Sequence, residues 1–324
     1  MPVLSRRLPA GRELPGASRT RETRTAPELL REASAGPEPK GSALPPGPPR
    51  AGIFAICANP GCTSGWLKLF RARSAPVFEG GWCCSAGCTR AMVEAALRRE
   101  SHACSAADGA HRHRIPLGLA MLEQGWITRA QLREALEAQR AAGGGRLGYW
   151  LVRGQGVSEQ LVTRALGLQW SCPVLNVEPY DAAALAALVP RLFVDAFGAL
   201  PLRAAAGRIL YLGFEDRLDA VLALAVERMT GLRVECGLVA GSVFHPAHAA
   251  MLKGAFPMAE LIEASSETSL AQALARALEG AKAVESRLVR VHDCFWLRMW
   301  LRPQTGPLPA ANEVSDVIAT ARMQ

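Results

Sequence analysis

The sequence predicts an α+β protein of several modules: a small cysteine-bearing unit, tandem helical hairpins, and then a small α/β sandwich. Three observations lead there. Five of the nine cysteines (Cys57, Cys62, Cys83, Cys84 and Cys88) crowd into one short stretch. A 24-residue pattern starting at Pro116 is written again 30 residues later. From about residue 173, strand-like apolar runs alternate with helical ones. A repeat of this kind sets the architecture around it, so it is read before anything else.

The bulk properties narrow the class. A chain of 324 residues has room for two or three small domains, and 49% of its residues are hydrophobic, enough for real cores. No apolar run approaches the roughly 18–20 residues of a membrane span. Residues 1–30 lack the apolar core of a secretory signal, so a cytoplasmic setting is expected. Nine cysteines in that setting point to metal or free thiols rather than disulfides. The net charge is +8, but residues 1–50 hold nine Lys and Arg against five Glu, half of the excess. No dense basic and aromatic stripe follows, so nucleic acid is not the favoured partner.

In chain order, residues 1–50 mix Pro, Gly, Ala and Arg and end in Leu-Pro-Pro-Gly-Pro-Pro, a composition that does not bury enough surface to order itself. Residues 51–104 form the cysteine unit. Cys57 and Cys62 flank an Asn-Pro-Gly turn, two strand-like runs follow at Trp66–Arg71 and Pro76–Phe78, and Cys84 and Cys88 open a helix to about Glu100. This layout resembles a treble-clef zinc finger. Four thiolates suit tetrahedral zinc, in a structural role because no coordination position stays open. The expected ligands are Cys57, Cys62, Cys84 and Cys88, with Cys83 as the alternative to Cys84. Residues 101–114, with His102, Cys104, His111 and His113, read as a linker rather than a second metal site.

Residues 112–172 hold the repeat. In each copy a short helix breaks at glycine and a longer one follows: at Gly125 and Thr128 in the first, at Gly154–Gly156 and Ser158 in the second. Thr128 with Gln131 is a capping box. Leu132, Leu136 and Gln139 share one helix face, as do Val162, Leu166 and Gln169 thirty residues on. The expected product is four helices in two antiparallel hairpins. Residues 173–254 then read as helices over 182–197, strands at 199–203 and 209–213, a helix opened by Asp216 or Asp219 and stopped by Gly231, a third strand and a closing helix. His245 and His248 fall at that helix rather than in a metal site. Residues 257–324 are expected to be an appendage of one or two helices over 257–286, one or two strands over 287–301, and a terminal helix over 313–322.

The tandem pattern resembles the N-terminal domain of type II secretion and type IV pilus ATPases, often called the MshEN domain. That motif runs Arg-Leu-Gly, then Gly, Leu, Leu and Gln at offsets 9, 16, 20 and 23. The second copy here keeps Arg146, Leu147, Gly148, Leu166 and Gln169, with Val162 at offset 16 and Gln155 at offset 9. The first keeps Leu117, Gly118, Gly125, Leu132, Leu136 and Gln139, but Pro116 stands in place of the Arg. Leu200-Pro201-Leu202, Asp216–Asp219 and Thr230–Val234 match the family's second half, so the resemblance covers roughly 112–252. It implies a receptor that binds cyclic di-GMP along Leu117, Gly118, Leu132, Leu136, Gln139, Arg146, Leu147, Gly148, Val162, Leu166 and Gln169. It further implies a protein partner of secretion, pilus or signalling type. The residue types suit that ligand: Gly at a helix start for phosphate, Arg for phosphate or base, Leu for an apolar bed and Gln for a polar edge. The family's ATPase half is missing, because no Gly-x-x-x-x-Gly-Lys loop occurs, and no catalytic constellation replaces it. The sequence therefore reads as a non-enzymatic receptor. The alternatives are a nucleotide-independent adaptor for the same machinery and a zinc-finger nucleic-acid binder using the basic tail.

Overall fold

A computed structural model describes residues 56–63, 76–105, 114–304, 306 and 308–321, the side chains of 103–105 excepted. The 1–50 tail, the strand expected at Trp66–Arg71, the Cys104 thiol, His111 and His113 lie outside them. The fold mixes helix and sheet throughout. Among the described residues no helix is long and apolar enough to cross a membrane.

A two-stranded hairpin, β1 (Val77–Phe78) and β2 (Gly81–Trp82), leads into helix α1 (Ala86–Ser105). Four helices follow: α2 (Leu117–Glu123), α3 (Arg129–Ala141), α4 (Leu147–Gln155) and α5 (Glu159–Trp170). Thr128 and Gln131 form the expected capping box. Helix α4 runs through Gly154 and Gln155, and the break comes at Gly156, which takes the left-handed conformation at φ 63°. The helices pair differently from two sequential hairpins. α3 runs against α4, and α2 against α5.

The next segment forms short helices α6 (Ala182–Leu185) and α7 (Arg191–Phe197), then β3 (Leu200–Ala205), β4 (Ile209–Phe214), α8 (Ala220–Thr230), β5 (Arg233–Leu238) and α9 (Gly241–Met251). Asp219, rather than Asp216, opens α8 by accepting from the Leu222 N–H, and Gly231 ends it at φ 72°. β4 pairs antiparallel with β3 and parallel with β5.

The C-terminal part corrects the sequence reading twice. Residues 258–264, expected as helix, are strand β6 (Met258–Ala264), and residues 314–321 are strand β9 (Val314–Ala321) rather than a terminal helix. Between them lie α10 (Glu267–Ala281), capped by Ser266 and Ser269, and the hairpin β7 (Glu285–Val291) and β8 (Cys294–Trp300). The sheet order is β6-β9-β8-β7. β9 lies parallel to β6 and antiparallel to β8, with Met258 opposite Ser315 and Trp296 opposite Ile318.

This sheet is covered on both faces, following the period of two along each strand. Val289, Val291, Trp296, Trp300, Val314 and Ile318 join the core of the three-stranded α/β segment. Their neighbours Leu288, Phe295, Leu297, Met299, Val317 and Ala319 join α10, α1 and the cysteine unit in a second core. β1 also lies along the β7 edge: the Val77 and Glu79 N–H groups donate to the carbonyls of Ala283 and Ser286 at 3.3 and 2.8 Å.

Two ionic nodes, each built on a buried carboxylate, bind the layers. Glu100 of α1 receives both Arg228 Nη atoms of α8 at 2.7 Å. On the other face, Asp316 receives Arg298 Nε and Nη2 and Trp296 Nε1, each at 2.8 Å, while Arg298 Nη1 donates to the Leu188 carbonyl at 3.0 Å.

Candidate functional site

The repeat builds a site from two corresponding halves. Gly118 and Gly148 sit in the first turns of α2 and α4. A Cβ on Gly118 would stand 2.6 Å from Leu132 Cδ1, and one on Gly148 would stand 2.7 Å from Val162 Cγ1. The motif glycine thus lets a short helix lie directly on the residue 14 positions later in its own copy. Each motif leucine crosses over. Leu147 Cδ2 is 3.3 Å from the Cβ position of Gly118, and Leu117 Cδ2 is 3.8 Å from that of Gly148.

The glutamines cross over as well. Gln139 Nε2 donates to the Gly145 carbonyl at 2.5 Å, and Gln169 Nε2 donates to the Ile115 carbonyl at 2.8 Å. Ile115 and Gly145 are themselves 30 residues apart and immediately precede the helix N-caps Pro116 and Arg146. Each copy therefore pins the start of the other copy's short helix. A pseudo-two-fold relates the two, and Leu117, Gly118, Gln139, Leu147, Gly148 and Gln169 are gathered around it.

The remaining motif residues open onto concave surfaces. A cleft of about 740 Å³ lies at the second copy, with Arg146, Val162 and Leu166 in its wall. A shallower groove of about 300 Å³ lies at the first, with Leu132 and Leu136. The first groove's Leu122, Arg129, Leu132, Arg133 and Leu136 stand 30 positions before the second cleft's Val152, Glu159, Val162, Thr163 and Leu166. The surface is repeated, but its charge is not.

The second cleft is closed by groups from the α/β segment. Arg146 is ion-paired with Asp216 and lies 3.7 Å from Glu215. Glu215 is also 3.3 Å from His245 Nε2. Glu159 Oε1 accepts from the Ser242 N–H at 3.1 Å, at the start of α9. Neither Pro116 nor Arg146 makes a side-chain cap, so the first N–H groups of α2 and α4 have no side-chain acceptor there. On α4, Tyr149 and Arg153 extend the face begun by Arg146. Sequence reading missed Tyr149, Arg153, Glu159, Glu215 and His245 as wall residues. For the first two a signal existed, because they fall at i+3 and i+7 from Arg146.

The cysteine unit is a candidate metal centre. The sulfurs of Cys57, Cys62, Cys84 and Cys88 all lie within 4.8 Å of one another, and Cys83 is outside the group. Cys62 to Cys84 is 3.5 Å and Cys84 to Cys88 is 3.7 Å. Thiolates around zinc at about 2.3 Å would stand roughly 3.8 Å apart, so the donors fit. The knuckle is preorganised by its backbone: Asn59 Oδ1 accepts from Gly61 N–H at 3.0 Å, and Ala58 N–H donates to the Trp82 carbonyl at 2.8 Å. Gly81 lacks a Cβ where Ala58 packs, the position being 2.4 Å from Ala58 Cβ. Burial pushes the Cys84 thiol up to about 11, and the adjoining thiols of Cys62 and Cys88 add to it. Ionising such a cluster calls for a cation, which binds thiolate and releases the protons.

No family model matches the chain, and no curated protein does. Among solved structures the chain is similar to MshE with cdg, at 26% identity over 43% of this chain and 99% of that one, with a TM-score of 0.35. It is also similar to the N-terminal domain of XpsE in two crystal forms, each at 20% identity. Those matches cover 41% and 43% of this chain, 91% and 97% of the other, with TM-scores of 0.30 and 0.25.

Proposed function

We propose that this chain is a non-catalytic receptor for cyclic di-GMP, carried on a scaffold stapled by structural zinc. The observation that carries the reading is the reciprocal hold between the two motif copies, Gln139 on Gly145 and Gln169 on Ile115. A pseudo-two-fold protein surface is matched to a ligand that is itself two-fold symmetric, with a phosphate and a guanine on each side. In this reading the uncapped start of α4 and the Arg146 guanidinium take phosphate, Arg146 exchanging Asp216 for it. Leu117, Leu132, Leu136, Leu147, Val162 and Leu166 supply the apolar bed. Gln139 and Gln169 hold the helix starts in register. Pro116 leaves the first copy without the clamp, so the second copy carries more of the affinity.

Cys57, Cys62, Cys84 and Cys88 would hold the zinc. Bound there, it supplies folding energy and no reactive position, since four protein ligands close the tetrahedron. Binding is relayed to a partner of secretion, pilus or regulatory type.

Calorimetry with cyclic di-GMP on the full chain tests the reading. Saturable binding that Arg146→Ala weakens at least tenfold is expected. No heat at tens of micromolar ligand would remove it, and would favour the second reading, an adaptor in which the Arg146–Asp216 pair is permanent.

A further inference from the structure

The face of α4 that meets the cleft carries more than the motif requires. Arg146 is followed at i+3 by Tyr149 and at i+7 by Arg153, and all three are in the cleft wall. Tyr149 is 50% exposed, so its ring does little for the core. Yet it is held from two sides. Arg153 Nη1 donates to its hydroxyl at 2.8 Å. The Trp150 ring meets it edge to face, with centroids 5.3 Å apart, and Trp150 Nε1 is fixed to the Gly144 carbonyl at 3.2 Å. An aromatic ring ordered in this way without being buried is prepaid for a planar ligand. The same cleft also holds acceptors for a base. Glu159 and Glu215 line it, and a carboxylate accepts from base N–H groups.

We infer that Tyr149, backed by Arg153, is the stacking platform for one guanine base in the second-copy cleft. The inference rests on the receptor reading above and adds residues that lie outside the repeated motif. It makes the second copy the base-reading half of the site as well as the half with the clamp. Stacking of one base on an aromatic side chain accounts for an affinity factor of about five- to a hundredfold.

The test is calorimetry of cyclic di-GMP against the full chain and its Tyr149→Ala, Tyr149→Phe and Arg146→Ala variants, with melting curves alongside. Tyr149→Ala should lose about five- to a hundredfold in affinity with little change in melting temperature. Tyr149→Phe, which keeps the ring and loses the hydroxyl, should stay within about threefold of the native chain. A Tyr149→Ala variant within twofold of native, while Arg146→Ala is impaired, overturns the platform and leaves the receptor reading standing. Equal losses in the Ala and Phe variants also overturn it, because the hydroxyl rather than the ring would then matter. No binding by the native chain overturns both.

Discussion

The ion pair between Arg298 and Asp316 is the contact whose removal should be most instructive. Arg298 is 1% exposed and Asp316 fully buried, on the face of the β6-β9-β8-β7 sheet that packs against the α/β segment. Each donor nitrogen in the node has an acceptor: Arg298 bonds both Asp316 oxygens and the Leu188 carbonyl, and Trp296 bonds Asp316 Oδ1. Asp316→Asn is nearly isosteric, so it leaves no cavity. It does leave a guanidinium uncompensated in a buried site, which costs about 3–5 kcal/mol. For a folded unit of this size, each kcal/mol moves the midpoint by about 2–4 °C, so a fall of about 6–20 °C is expected. Adding Arg298→Met removes the stranded charge while the Met side chain replaces the Arg stem, so the double variant should regain at least half of the loss. Denaturant unfolding of Asp316→Asn, Arg298→Met and the double variant beside the native chain gives the cycle directly. A loss under about 1 kcal/mol for Asp316→Asn, or losses that simply add in the double variant, would show that the pair is not a working link between the layers.

Three further outcomes follow from other sites. Burial alone would push the Glu100 carboxyl up, but Arg228 and Arg99 outweigh it and hold the group below its usual 4.5. Its contribution is therefore complete above about pH 4.5 and fades as pH falls through the lower folded value, so the melting-point gap between native chain and Glu100→Gln should narrow in acid and not in base. Gly148→Ala should cost about 1–3 kcal/mol in a denaturant titration, because stiff Val162 blocks the new methyl, whereas Gly118→Ala should cost less because the Leu132 end can turn. Metal analysis should find about one zinc per chain, lost in Cys84→Ser and kept in Cys83→Ser; retention in both would shift the assignment to another ligand set.

Local signals made much of this legible. The cysteine knuckle, the Thr128 capping box and the Gly231 stop each act within a few residues, so spacing reveals them. The repeat was legible because two copies agree position by position. The C-terminal strands were not, for reasons visible in their residues. Met258–Ala264 reads Met-Ala-Glu-Leu-Ile-Glu-Ala, largely helix formers, and only pairing with a strand some 50 residues away makes it extended. In Val314–Ala321 the alternation is interrupted by Asp316, a charge that looks solvent-facing until Arg298 is seen beside it. The cleft's acidic wall was hidden for the same reason, since Glu215 and Asp216 reach Arg146 from another part of the chain.

The crossed contacts explain why the two copies match where they do and differ where they do. Gln139 acts on the start of the second copy and Gln169 on the start of the first, and each motif leucine covers the other copy's glycine. A change in any of these residues disturbs its partner copy, so neither half is free to drift alone. Apart from Leu136 and Leu166, which agree, the groove walls carry no such obligation. Arg129 stands where the second copy has Glu159, Arg133 where it has Thr163, and Arg140 where it has Trp170. The loss of Arg at position 116 is of this second kind, because Pro116 still serves as the N-cap of α2 and its neighbour Ile115 still receives Gln169. If the chain binds the two-fold ligand proposed above, a symmetric frame with asymmetric walls gives its two ends different surroundings, cationic at the first copy, aromatic and acidic at the second. The two bases of that ligand are then unequally held, and removing Arg146 or Tyr149 should cost more affinity than removing any single side chain of the first groove.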